Sequence, residues 1–432
     1  MRYILCLLLT CLFMVSFPPH GSEAAGRCDI APDARDADPE ASVKGAPEGV
    51  NAIAANAVNA FAIDIYRQLA ERGGNLFFSP YSISSALAMT FAGARGDTAA
   101  EMAKALHFTG CEQEIHAAMK HLQDRFNSIP DEMGSVDVAN RLWVDEREKL
   151  VPDYRALVEK NYGAGVETVD FLGAHEKARV EINDWVAQKT YDRIRDLLQE
   201  DNVTPYTRLI LINAIYFNAA WLEPFDKALT REEPFRTGKN EQHDVSMMRR
   251  TGHFMYGENS YAQWLKIPYK IPGFSMLILL PRENEPFTQL KELEMRLTPE
   301  TLASWTTDMN FSKVALRMPR FKDEHRYSLT EVLKRLGMKL AFTNDADFSG
   351  MVENPVVDGF ALHIDYVVHK AFIELDEERT EAAAATAVGM VRTTAVLRPE
   401  PVIEFNADHP FIYCLMDDQT GVILFMGRME RP

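Results

Sequence analysis

Asp376 to Pro401 reads DEERTEAAAATAVGMVRTTAVLRPEP, and the reading of this stretch decides the fold. Its first part, Glu377 to Ala387, is built mainly of Glu, Thr and Ala, and Ala is the best helix former, so taken alone it reads as an Ala-rich surface helix or linker. The flanks oppose that. The run Val367-Val368-His369-Lys370-Ala371-Phe372-Ile373-Glu374-Leu375 before it reads as a strand, and β-branched Val388, Val391, Thr393 and Thr394 follow. In a strand, residues two apart share a face. One face then carries Thr380, Ala382, Ala384, Thr386, Val388 and Met390, which could enter a packed interior without burying a charge. The other carries Glu381, Ala383, Ala385, Ala387, Gly389 and Val391. Such a segment could be an exposed loop in one state and a buried strand in another.

Glu377-Glu378-Arg379-Thr380-Glu381-Ala382-Ala383-Ala384-Ala385-Thr386 resembles the hinge of the reactive-centre loop of serpins, the serine-protease inhibitors. It departs at one position, where Arg379 stands for the family's usual Gly. Further blocks are similar to serpin signatures, in serpin order. They run from Asn75-Leu76-Phe77-Phe78-Ser79-Pro80-Tyr81-Ser82-Ile83 through Asn140-Arg141-Leu142-Trp143-Val144 and the apolar run Leu209 to Phe217. Trp221, Phe225, Thr230 and Phe235 come next, then Pro319-Arg320-Phe321, Ala346-Asp347-Phe348-Ser349-Gly350, Phe405-Asn406-Ala407-Asp408-His409-Pro410-Phe411 and Phe425-Met426-Gly427-Arg428. The resemblance covers about Val50 to Pro432. It implies an α+β fold of about nine helices around three β-sheets, with an exposed loop from Glu377 to about Pro399.

Local signals agree with that order. Asn51 to Gly73 is apolar at helical spacing and ends on Gly73-Gly74, while Ser79-Pro80 reads as a helix cap followed by proline in the first turn. Leu209 to Phe217 is nearly all apolar, which implies a strand covered on both faces. Ile182 to Val186, continuing through Ile194 to Leu198, reads as one helix.

The first residues predict export. Arg2, the apolar run Ile4 to Phe17 and Ser22-Glu23-Ala24 read as a signal peptide over 1–24, with a short membrane anchor as the alternative. A polar leader follows over 25–48, then the serpin domain over 49–432. The expected location is secreted and extracellular, or periplasmic in a bacterium. Of five cysteines, Cys28, Cys111 and Cys414 would remain, too few and odd for a disulfide framework, with Cys414 read as a buried strand residue. A net charge of −17 argues against nucleic-acid or anionic-membrane partners.

An enzyme finds no support, since G-x-S-x-G, H-E-x-x-H, a glycine-rich phosphate loop and paired C-x-x-C are all missing. No cofactor or metal is expected, and His116 and His121, five apart, read as surface histidines. The family's chemistry is different. A protease attacks the bait bond as it would a substrate, and insertion of the cleaved loop into the central sheet then traps the acyl-enzyme. About 14 residues entering as a strand span roughly 45 Å.

The resemblance also implies roles. Ser79, Ser82, Asn213 and His369 would form a shutter, a polar cluster beneath the opening sheet. Trp221, Arg320 and Glu377 match the breach, where the loop first enters, with an Arg320–Glu377 ion pair as a possibility. Glu377, Glu378, Arg379, Thr380, Glu381, Ala382, Ala383, Ala384 and Ala385 form the hinge. Family spacing sets the bait residue thirteen after Thr380, at Thr393, with cleavage before Thr394. Thr393 suits an elastase-like or subtilisin-like serine protease, whereas cleavage after the neighbouring Arg392 would recruit a trypsin-like one. A suicide inhibitor of serine proteases, with cysteine proteases as the alternative target class, acting as a monomer is the expected function. A non-inhibitory serpin serving as a binding protein or chaperone is the alternative that Arg379 keeps open.

Overall fold

The apolar run at Leu209 forms a strand of twelve residues, Leu209–Ala220, and every side chain from Leu209 to Phe217 is buried. It belongs to a computed structural model that describes residues 48–163, 165–237, 241–282, 286–357, 359–380 and 400–432. Among these residues nine α-helices pack with sheets of nine, six and two strands, an α+β fold.

The six-stranded sheet holds β1 (Gly134–Asp145), β2 (Val166–Val169), β3 (Leu209–Ala220), β4 (Phe321–Ser328), β5 (Tyr366–Leu375) and the short β6 (Arg379–Thr380). Across the sheet the order is β4-β5-β3-β1-β2, with β6 on the end of β3. β1 runs antiparallel to β3 from Gly134 opposite Ala219 to Val144 opposite Leu209. β5 runs parallel to β3, and two parallel central strands need cover on both faces. Alternate residues of β3 supply both contacts. Leu209, Leu211, Ile215, Phe217 and Ala219 join the main core, and Ile210, Ile212, Ala214 and Tyr216 pack under the Phe171–Lys189 helix with Phe171, Ile182 and Val186.

The Pro80–Phe91 helix lies in the main core and is buried on every side. It starts as its sequence predicts, with the Ser79 hydroxyl accepting the Ser82 N–H and proline in the first turn. It contacts β1 and β3 on one side and the Val422–Met429 strand of the nine-stranded sheet on the other. The first helix, Glu48–Ala70, stops before Gly73 and Gly74, whose φ values of 66° and 77° suit glycine.

Three local expectations are corrected. The helix from Phe171 ends at Lys189, and the chain to Leu198 is irregular, with positive φ at Tyr191, Asp192 and Asp196. The Thr190 hydroxyl donates to the Val186 carbonyl and accepts the Ile194 N–H, ending the helix. Ile194, Leu197 and Leu198 are spaced like a helix face yet pack on the sheet from an irregular path. His116 is buried, not at the surface, because it lies on the inner face of the Glu112–Asn127 helix beside Ile115 and Met119, with Nδ1 2.5 Å from the Tyr162 hydroxyl. Cys111 is disulfide-bonded, which the cysteine count did not foresee. Cys414 is free and fully buried in the Phe411–Asp417 strand, and burial pushes its thiol up to about 12.

Candidate functional site: the seam between two parallel strands

β5 and β3 pair only from Tyr366 opposite Ile210 to Ala371 opposite Ile215. Beyond that pair, Phe372–Leu375 stays on β4, and the upper part of β3 stays on β1. After Leu375 the chain turns, and β6 returns antiparallel to β3, with Arg379 opposite Ala220 and Thr380 opposite Ala219. The seam between two parallel strands is therefore closed below and open above, with the start of a third strand at its upper end.

Where the closed part lies on the Pro80–Phe91 helix, Ser79, Ser82, Asn213 and His369 come together as fully buried polar groups. His369 Nε2 lies 3.0 Å from the Ser79 N–H and can only accept there, so the ring proton is on Nδ1, which donates to Asn213 Oδ1. Asn213 Nδ2 donates at 2.5 Å to the Ser82 hydroxyl and to Asn140 Oδ1. The Ser79 hydroxyl donates to the Leu424 carbonyl at 2.5 Å, tying the cluster to the other sheet. His369 and Asn213 are cross-strand partners on β5 and β3, so their bond spans the seam itself. Burial drives the His369 imidazole down to about 3, so the ring is neutral near pH 7.

Sequence reasoning missed Asn140, whose amide bonds both Ser82 and Asn213. The signal was present. Asn140 shares a face of β1 with apolar Leu142 and Val144, and a polar residue on an inward face needs partners. Tyr327 was also missed; it stacks parallel to His369, and its hydroxyl accepts the Phe77 N–H.

At the upper end, Trp221 donates its indole N–H to the Asp376 carbonyl at 2.9 Å and stacks on Tyr269 with centroids 4.5 Å apart. The Trp221 and Phe225 backbone N–H groups donate to the carbonyls of Glu378 and Glu377. Glu377 is 3 % exposed, accepts from the Thr230 hydroxyl at 2.7 Å and lies 3.7 Å from Arg320. Arg320 is half exposed, so solvent screens that pair and the Thr230 bond is the firmer of the two. Glu378 pairs with Lys227 at 2.6 Å. Of the expected hinge, residues 377–380 are described. Glu381, Ala382, Ala383, Ala384 and Ala385, and the bait residues Arg392, Thr393 and Thr394, lie outside the described residues, as do the expected signal and nearly all of the leader. Among the described residues, no group of three or more His, Cys, Asp or Glu is arranged to hold a metal ion.

A family model described as Serpin (serine protease inhibitor) matches residues 56–432. The chain is a serpin. This serpin is 42% identical over 379 residues to a leukocyte elastase inhibitor of Bos taurus, covering 86% of this chain and 97% of that one. It is 39% identical over 388 residues to Serpin B6 of Pongo abelii, covering 88% and 100%. Among solved structures it is similar to uncleaved ovalbumin, with TM-score 0.78 and 31% identity over 87% of this chain and 99% of that one. As a serpin it is a protease inhibitor and not an enzyme. The relatives also correct the expected location. Leukocyte elastase inhibitor and Serpin B6 are intracellular serpins, which points away from secretion and overturns the export read from the first residues.

Proposed function

We propose that this serpin, through its unit over 49–432, inhibits a serine protease of elastase-like type as a monomer, trapping the acyl-enzyme by inserting its cleaved loop into the β5–β3 seam. The pairing of β6 carries this reading. Continued one residue at a time along β3, it sets Ala382 opposite Phe217, Ala384 opposite Ile215, Thr386 opposite Asn213, Val388 opposite Leu211 and Met390 opposite Leu209. Cross-strand partners share a face, and all five β3 partners face the main core, so the small and apolar side of the loop would enter it. On the other face Glu381 would stand opposite half-buried Asn218 near the rim, and Ala383, Ala385, Ala387 and Gly389 beyond it would face the Phe171–Lys189 helix, with no charge among those four. The residues from Arg379 to Met390 match the whole length of β3, which leaves Thr393 just past its lower end.

Insertion forces the seam below Ala371 apart. There the His369–Asn213 bond would be replaced, and Thr386 would bring a hydroxyl opposite Asn213 to take over. The new ladder bonds net on the order of 1 kcal/mol each, so insertion gains about ten, comparable with the stability of a domain. The uninserted form is then a kinetic trap. Acylation of the protease nucleophile by Thr393 breaks the Thr393–Thr394 bond and frees the loop at Thr393, while its hinge end stays attached. The elastase-like choice rests on the small β-branched Thr393 and on similarity to leukocyte elastase inhibitors. Incubation with an elastase-like protease is expected to give an SDS-stable complex and a released C-terminal peptide that begins at Thr394. Clean hydrolysis without a complex would reject inhibition, and a peptide beginning at Thr393 would make Arg392 the bait residue and favour trypsin-like enzymes.

A further inference from the structure

Below the seam, at the end farthest from β6, a cleft of about 740 Å³ opens beside the first residues of β3 and β5. Leu172, Pro205, Tyr206 and Phe342 line it, and Leu172 and Tyr206 are 50 % and 84 % exposed, apolar rings and chains left facing water at its walls. This volume suits a small molecule, and a mostly apolar wall with a few converging polar groups is the usual make-up of a ligand site.

Its polar lining is Arg147, Arg208, Thr343, Asn344, His363 and Asp365, of which the last two face each other. The Asp365 carboxylate clasps the foot of the seam, accepting the Arg208 and Leu209 backbone N–H groups through Oδ2 at 2.8 and 3.1 Å. His363 Nδ1 lies 2.9 Å from the Ala361 carbonyl, which can only accept, so the ring proton is on Nδ1 and Nε2 of the neutral ring is an acceptor. Nε2 and Asp365 Oδ1 are 3.7 Å apart, an ion pair when the ring is protonated and, when it is neutral, two acceptors with room for a donor between them. Among the described residues, the charges of Arg147, Arg208, Asp145, Glu148 and Asp365 sum to one negative. Arg147 pairs with buried Asp145, Arg208 with buried Glu148, and Asp365 is the third carboxylate. Burial holds the Asp365 carboxyl above its usual range, offset in part by its two backbone bonds and by the nearby His363 and Arg208.

We propose that this cleft binds a small apolar amine, with the ammonium between His363 Nε2 and Asp365 Oδ1 and the hydrocarbon body against Tyr206, Leu172 and Phe342. An ammonium nitrogen about 2.8 Å from each acceptor fits that pair, and its charge balances the third carboxylate. The site is independent of the loop mechanism, because binding is read with no protease present. The probes are 4-phenylbutylamine and, as a control of similar shape and opposite charge, 4-phenylbutanoate, titrated calorimetrically into the full chain at pH 7.5. The amine is expected to bind, the carboxylate at least about tenfold more weakly. Asp365→Asn keeps an oxygen for the two backbone N–H groups but removes the charge, and should weaken the amine about tenfold. Tyr206→Ala changes an exposed side chain without touching the clasp, so it folds even where Asp365→Asn does not, and should weaken the amine several-fold. Bound amine should slow hydrogen exchange at the Arg208 and Leu209 amides. No binding of the amine, equal binding of the carboxylate, wild-type affinity in Tyr206→Ala, or exchange protection confined to other parts of the chain would each overturn the site.

Discussion

His369 is the residue on which the seam turns, and its chemistry makes it a stability switch. Its two nitrogens are committed in opposite senses, one accepting from Ser79 and one donating to Asn213, so a proton added to Nε2 breaks the Ser79 bond and leaves a charge with no counter-ion in the core. The folded imidazole sits at about 3, and the unfolded one near 6.5. Because the folded value is the lower, its contribution is complete above pH 6.5 and is lost as the pH falls toward 3, at up to about 1.4 kcal/mol per pH unit. His369→Gln should cost roughly 2–4 kcal/mol at pH 7 and flatten this loss. Urea unfolding midpoints of both proteins from pH 7 to pH 4 test it, and parallel pH slopes would remove His369 from the switch. Little of this was legible from spacing alone. Ser79, Ser82, Asn213 and His369 lie far apart in sequence, and resemblance grouped them. Asn140 escaped because the eye passes over one amide inside an apolar strand. His116 was misread because a five-residue spacing of two histidines says nothing about which face of their helix is inward.

Among the elements, β3 and β5 were readable because strands covered on both faces need long apolar runs, and both segments have them. Their pairing was not, because where a parallel ladder stops depends on the helices above and below it and not on the strands' own residues. The irregular chain from Thr190 to Leu198 failed for a related reason: a helical apolar spacing is also produced by any path that touches a sheet every third or fourth residue. The register of β6 supports a sharp expectation. Thr380 is opposite Ala219, which is 1 % exposed, so Thr380→Arg would carry an unpaired guanidinium into the core as insertion begins, at several kcal/mol. Hydrolysis of the acyl-enzyme should then outrun insertion, and the number of inhibitors consumed per protease should rise several-fold. Arg379 is opposite Ala220, where the family's usual Gly would leave the backbone freer, so Arg379→Gly should lower that number. Equal stoichiometries for wild type and Thr380→Arg against one protease would mean that this face of the loop does not enter the sheet.

At the scale of the whole molecule, the described residues hold a sheet whose β5–β3 seam is paired below and unpaired above, and β6 at its upper end leads into a sequence of matching length and side-chain size. On the proposed insertion, the native arrangement would be less stable than the one it can reach, with the closed part of the seam and its buried polar cluster as the barrier between them. Heat unfolding of the full chain, before and after a single cut between Ala387 and Thr394, tests this most directly. Insertion worth about ten kcal/mol raises the melting temperature by roughly 10–20 °C, and that rise is the expected result. An unchanged or lower melting temperature after a clean cut would contradict it, because a nicked loop that stays outside the sheet adds no strand.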